Sequence, residues 1–294
     1  MDRRNFLKAS AAGGGLLAAG AGTPAHARGN REVPPEALGL LYDSTLCVGC
    51  KACVAACKQA NGMPPEFSTE EHLWDTPLDI SGRTLNVIKV YRSGSARNKD
   101  REQDGYAFIK KSCMHCVDPS CISACPFGVP RFTFESATPQ ISKCQLCRHR
   151  WKDGGYAACA EVCPTGATLY GRLTDLKQEA ARRLAAKPGA PMVYPRGRLG
   201  GPDQSYPGVS AAYVQHLYGE KEFGGTQMVM LAGVPFEKLG YPGLPPVSDA
   251  SSSETLQHTL YGGLVMPVAF LGLLSWVARR NVKSADDEED PHHG

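Results

Sequence analysis

The chain has almost no net charge. Its 294 residues carry 32 Lys and Arg against 29 Asp and Glu, a formal +3. Without residues 1–27, which hold Arg3, Arg4, Lys8 and Asp2, the balance is 29 basic against 28 acidic. Nucleic-acid binding rests on a basic excess, so composition points to no nucleic acid partner. No C-x-x-C-H occurs, and covalent c-type haem is not indicated. Nor does the sequence offer a Ser-His-Asp order, paired acid–base carboxylates or a phosphate loop, so it shows no substrate pocket of its own and reads as a non-enzyme. The signature of disorder is missing too: 42% of residues are hydrophobic, enough for one sizeable core or two small ones.

Cysteine is what the chain has in excess. There are 12, far more than packing needs, and they fall in three groups. The first, CVGCKACVAACK, spaces Cys47, Cys50, Cys53 and Cys57 as C-x2-C-x2-C-x3-C. Three thiolates at two-residue gaps wrap one face of an iron-sulfur cubane, while the fourth, about one helical turn onward, points elsewhere. The third group, Cys144, Cys147, Cys159 and Cys163, keeps the same frame with its middle gap stretched and ends in Cys163-Pro164. In two-cluster ferredoxins the fourth cysteine of each run ligates the other cluster. On that rule Cys47, Cys50, Cys53 and Cys163 hold one 4Fe-4S cluster, and Cys57, Cys144, Cys147 and Cys159 hold a second. Two rivals fit less well. Structural zinc prefers two separated pairs per ion and has no use for a third cysteine at a two-residue gap, and adjacent C-x2-C pairs make poor disulfides. The middle group, Cys113, Cys116, Cys121 and Cys125 in CMHCVDPSCISACPFGVP, raises a separate question: whether all four hold the same thing.

The two ends suggest a compartment. MDRRNFLKASAAGGGLLAAGAGTPAHA resembles a twin-arginine export signal cut after Ala27, with a Sec leader or a soluble helix as the alternatives. Leu260 to Val277 is 18 residues without a charge, which as a helix just crosses a hydrocarbon core; a buried core helix is the alternative. Arg279, Arg280 and Lys283 follow it, so the positive-inside rule places the C-terminus in the cytoplasm and the preceding chain outside, on the periplasmic side. The expected division is a signal peptide 1–27, a ferredoxin-like iron-sulfur domain 28–172, an irregular partner-contacting extension 173–256, a transmembrane anchor 257–280 and a cytoplasmic tail 281–294.

The phrases LGLLYDSTLCVGCKACVAACK, NKDREQDGYAFIKKSCMHCVDPSC, HLYGEKEFGGTQMVML and QHTLYGGLVMPVA together resemble the HybA-type ferredoxin-like subunit of hydrogenase-2, a membrane-bound nickel-iron hydrogenase. The sequence is more distantly similar to the electron-transfer subunits of formate dehydrogenase and other molybdopterin oxidoreductases. The resemblance implies an α+β fold of tandem bacterial-ferredoxin-like halves with long loops, plus one C-terminal transmembrane helix. It implies electron transfer from a periplasmic nickel-iron hydrogenase, with large and small subunits as partners, to an integral membrane quinone-reducing subunit. Membrane lipid is the remaining partner. The alternatives are the same relay for a molybdopterin enzyme, or a structural or assembly subunit with a degenerate middle.

The family carries four cysteine groups and four clusters, and this sequence lacks the family's third group. Cys125-Pro126 can be read as the end of the second group or as the end of the missing third. In the second case Cys125 is the fourth ligand of Cys113, Cys116 and Cys121, and twelve cysteines hold three clusters. In the first, the middle site holds no cluster or an incomplete one. Counting favours three, whereas the usual outward aim of a run's fourth cysteine stands against it. His115 could tune the cluster or replace a ligand as histidine does in Rieske centres, but reads more readily as an exposed loop residue; Lys110 and Lys111 could raise the neighbouring cluster's potential by charge, with a solvated pair as the commoner case. A helix-like run spans Thr174 to Ala186 within an otherwise irregular stretch.

Overall fold

The computed structural model describes residues 28–281 except 75, 122–124, 134–136 and 202–204. The expected signal peptide and nearly all of the expected tail lie outside the described residues. The chain divides into two units, Asn30–Ala250 and a second that joins the segment before Asn30 to Ser251 onward.

In the first unit the sheet that carries the cysteine loops is built on β1, Leu38–Asp43. It runs antiparallel to β7, Thr168–Arg172, and parallel to β11, Met228–Leu231, while β9, Gly197–Arg198, adds beyond β7. Alternate residues of a strand face opposite ways, and β1 uses both faces. Leu40 and Tyr42 lie in the core that contains Cys47, Cys53 and Cys159. Leu41 lies in a second core with Leu173, Leu176 and Ala180. Those three sit on α3, Leu173–Ala185, whose buried Leu173, Leu176, Glu179, Ala180 and Arg183 recur at helical spacing along one stripe.

Two short helices carry later cysteines of the first and third groups: α1, Ala52–Ala60, holds Cys53 and Cys57, and α2, Ala158–Glu161, holds Cys159, with Cys163 just beyond its end. Helix α1 stops at Asn61-Gly62, where the Asn61 side chain donates to the Cys57 carbonyl at 2.7 Å and Gly62 takes φ +62°, a left-handed exit open to glycine. Between the first and middle cysteine groups lies a three-stranded sheet of β2, Asn86–Arg92, β4, Gly105–Ser112, and the short β3, Asn98–Lys99. After the middle group comes a small hairpin, β5, Arg131–Phe132, with β6, Ile141–Ser142.

Segment 173–256 is not irregular, contrary to the sequence expectation. Besides α3 it contains β8, Pro191–Pro195, paired antiparallel with β10, Ser205–Val209, and it supplies β11 to the cysteine-bearing sheet. The reason is visible in β11: all four residues, MVML, are buried, and a four-residue apolar run has no periodicity by which to declare itself. Through β11 the segment is therefore part of the cysteine-bearing sheet.

In the second unit, α4 runs over Asp249–Asn281, beginning eight residues before the expected anchor. Its 33 residues span about 50 Å. It is long and apolar enough to cross a membrane. Leu260, Leu264, Val265, Val268, Leu271 and Trp276 stand exposed along it, and Arg279 and Arg280 close its last turn.

Candidate metal centres

Each cysteine run opens with the same backbone device. The residue two after the first cysteine has a left-handed conformation: Gly49 at φ +70°, His115 at +53° and Leu146 at +53°. That turn aims its amide back at the preceding sulfur. Gly49 N–H donates to Cys47, His115 N–H to Cys113 Sγ at 3.4 Å and Leu146 N–H to Cys144. A donor aimed at a sulfur favours the thiolate, and the middle group has it as fully as the other two.

Only the first loop advertises the turn with a glycine. At Gly49 the demand is double, because a Cβ would overlap the Phe108 ring as well as strain the positive φ. The variant Gly49→Ala is expected to lose roughly 1–3 kcal/mol of stability, read as an earlier thermal unfolding transition, with iron lost first from the neighbouring site. An unchanged transition and full iron content would mean that the ring simply moves aside.

The sulfurs gather in three sets. Cys47, Cys50, Cys53 and Cys163 line one cavity, walled by Tyr42, Ile88, Pro164 and Ala167. Cys57, Cys144, Cys147 and Cys159 form a second set, in which Cys159 acts electrostatically on each of the other three and Cys57 acts on Cys144. Cys113, Cys116, Cys121 and Cys125 all line a further cavity with Phe127, Val129 and Lys143. The first two sets are the groupings expected from the spacing. The middle loop is held against the lead into β11: Gln227 N–H donates to His115 O at 2.9 Å, Met228 N–H to Met114 O at 3.1 Å and Val117 N–H to Gly225 O at 3.0 Å.

All twelve sulfurs are free thiols, so the chain has no disulfide framework. Among the described residues no three His, Cys, Asp or Glu side chains converge at single-ion distance; the sulfurs of the first and middle sets line cavities instead. Burial pushes Cys53 up to about 12 and Cys57 up to about 11, and burial with Cys113 and Cys125 nearby pushes Cys116 up to about 12. Left empty, such groups keep their protons. Four clustered, desolvated thiols are a donor set that releases protons to a metal and not to water. This is the donor chemistry of a 4Fe-4S cluster, and the residues present fit one.

Two expectations about side chains are corrected. Lys110 and Lys111 are not a solvated pair. Strand alternation sends Lys111 outward to Asp79 at 3.4 Å, whereas Lys110 is 1% exposed and feels Cys159 and Cys53. His115 is half-buried, with its Nε2 sealed and, among the described residues, without a hydrogen-bond partner. Burial, reinforced by Lys143, pulls its imidazole down to about 3, so the ring is neutral.

Two 4Fe-4S dicluster domain families match the chain, one over residues 46–129 and the other over 100–173. The chain is 41% identical to the hydrogenase-2 operon protein HybA of Escherichia coli O157:H7, with all of this chain and 98% of that protein covered. The alignment runs over 329 positions, 35 more than this chain has residues, so HybA carries sequence that is absent here. The nitrate-inducible formate dehydrogenase iron-sulfur subunit of Escherichia coli K12 is 27% identical over 86% of this chain and 89% of its own length. Likeness at 41% through the whole length makes this chain a member of the HybA family.

Proposed function

We propose that the chain is the electron-relay subunit of a hydrogenase-2-type complex, holding three 4Fe-4S clusters and catalysing no chemistry of its own. The observation that carries the reading is the division of twelve cysteines into three sets of four, two of them each lining a cavity of its own and the third drawn together around Cys159. Bound clusters supply single-electron acceptance and donation with no bond made or broken in the substrate sense. The protein's share is to bury, orient and tune. Tyr42, Ile88 and Ala167 keep water from the first set. Cys50 and its neighbour Val48, 54% exposed, bring that set to the surface, where an electron can leave or arrive. Phe127 and Val129 do the sealing around the middle set.

By family, the donor is the large and small subunit pair of a nickel-iron hydrogenase and the acceptor an integral membrane subunit that reduces quinone. Helix α4 serves as the single anchor, with its arginines toward the cytoplasm and the clusters on the periplasmic side, and the twin-arginine leader exports the chain folded. The formate dehydrogenase likeness supports the same relay beside a molybdopterin enzyme as a second reading, at lower identity.

Membranes from a strain producing Cys47→Ser, compared with the parent, test the assignment. Hydrogen-dependent quinone reduction is expected to fall by more than tenfold, while hydrogen-dependent reduction of a soluble dye by the catalytic subunits persists. If both activities persist, the chain is no relay; if formate oxidation fails instead, the second reading holds.

A further inference from the structure

Lys110 occupies a position that a simple wire does not require. It lies on β4 opposite Ile88 and is 1% exposed. A lysine this deep is ordinarily paired with a carboxylate, and among the described residues no carboxylate reaches it within ion-pair distance and no nitrogen or oxygen partners its Nζ. Its backbone is pinned, the Tyr241 hydroxyl donating to the Lys110 carbonyl at 2.6 Å, so the side chain is delivered to a fixed place.

What surrounds the ammonium is sulfur. Cys159, which is within hydrogen-bonding reach, Cys53 and Cys144 lie close enough to act on it. Lys110 acts in turn on Cys53, Cys57 and Cys147. Cys53 belongs to the first set of sulfurs, and Cys57, Cys144, Cys147 and Cys159 to the second. In the middle set a different cation, Lys143, acts on Cys113.

An unpaired buried ammonium is costly unless anionic groups share its space. A cluster with four thiolates is anionic, and each electron added makes it more so. A cation fixed beside it stabilises the reduced form over the oxidised and so raises the reduction potential.

We infer that Lys110 is a positioning residue for electron transfer: one ammonium, shared by the two clusters of the first and third cysteine groups, that raises both of their potentials together and leaves the middle cluster to other charges. This rests on the cluster assignment proposed above. Each event it influences is the gain or loss of one electron by one cluster, with no bond formed.

The test is redox-titrated EPR on the anaerobically purified full chain and on Lys110→Met, Lys110→Arg and Lys111→Met. In Lys110→Met with its iron retained, two of the three centres are expected to become harder to reduce by at least tenfold, about 59 mV for a one-electron couple. The third centre stays, Lys110→Arg restores the parent values and Lys111→Met leaves all three unmoved. Unchanged midpoints in Lys110→Met, or an equal shift in all three centres, overturn the inference. If Lys110→Met loses iron, the unaltered chain labelled with 15N-lysine decides. Pulsed EPR on its reduced clusters is expected to show a lysine nitrogen coupling on two centres, and its absence overturns the inference as well. Absence of iron from the unaltered chain brings down the cluster assignment itself, a different failure.

Discussion

Replacing Cys125 with serine is expected to remove one third of the bound iron and one redox centre. Anaerobically purified parent protein should carry roughly 12 iron atoms and as many acid-labile sulfides, and Cys125→Ser roughly eight of each. The same-sized loss is expected from Cys163→Ser, but from a different centre in the EPR titration. The argument is local. Cys125 lines one cavity with Cys113, Cys116 and Cys121, so the shortened run folds its fourth sulfur back onto its own three. The CMHC turn also repeats, at His115, the left-handed residue and the amide-to-sulfur hydrogen bond found in both other runs. A degenerate middle site predicts about eight iron atoms in the parent and no change on substitution. That pair of results would end the three-cluster reading and leave a wire of two.

The second large effect concerns stability. Asp43, the last residue of β1, is fully buried, and its Oδ2 accepts from Arg183 Nη1 at 2.7 Å and from the Tyr213 hydroxyl at 2.8 Å. Arg183, also fully buried, donates through Nε to Glu179 at 2.8 Å and lies over the Tyr194 ring at 5.0 Å. Removing one partner of a buried ion pair strands the other, and Arg183→Met is expected to cost about 3–5 kcal/mol. Chemical denaturation under anaerobic conditions measures it. The double variant Asp43→Leu with Arg183→Met should cost clearly less than the two single changes summed, since both charges are then gone. A loss below about 1 kcal/mol in Arg183→Met would show the network to be incidental. The acid limb follows from Glu179. Burial raises its carboxyl, but Arg182 and Arg183 outweigh that and hold it below the usual range. Its contribution is thus complete above the ordinary glutamate value and is lost as pH falls through the depressed one.

Spacing groups Cys163 with Cys47, Cys50 and Cys53, and the structure places those four around one cavity. The helix expected over 174–186 was legible as well, since its apolar stripe has a period, and it is found at Leu173–Ala185. The long apolar helix was legible in its core but not at its start, where Ser251, Ser252 and Ser253 give no helical signal. Three things were hidden for physical reasons. Strand β11 is too short to show periodicity and takes its place through tertiary pairing. Lys110 and Lys111 look alike in sequence, and only strand alternation, fixed by the pairing of Val87 with Lys111 and Ile88 with Lys110, separates them. The left-handed turns at His115 and Leu146 fall on residues that do not announce a positive φ, and they follow from the sulfur they serve.

The pairing of Leu40 with Met228 also sets a timetable. β1 and its cysteine loop leave the ribosome early, yet the strand that covers β1's outer edge is made only after most of the chain. Until then β1 presents an open edge of apolar residues, the kind of surface on which chains join wrongly, and the loop behind it is braced from one side. A chain that ends before residue 228 therefore has its first cysteine loop but lacks the strand that closes this edge of the sheet.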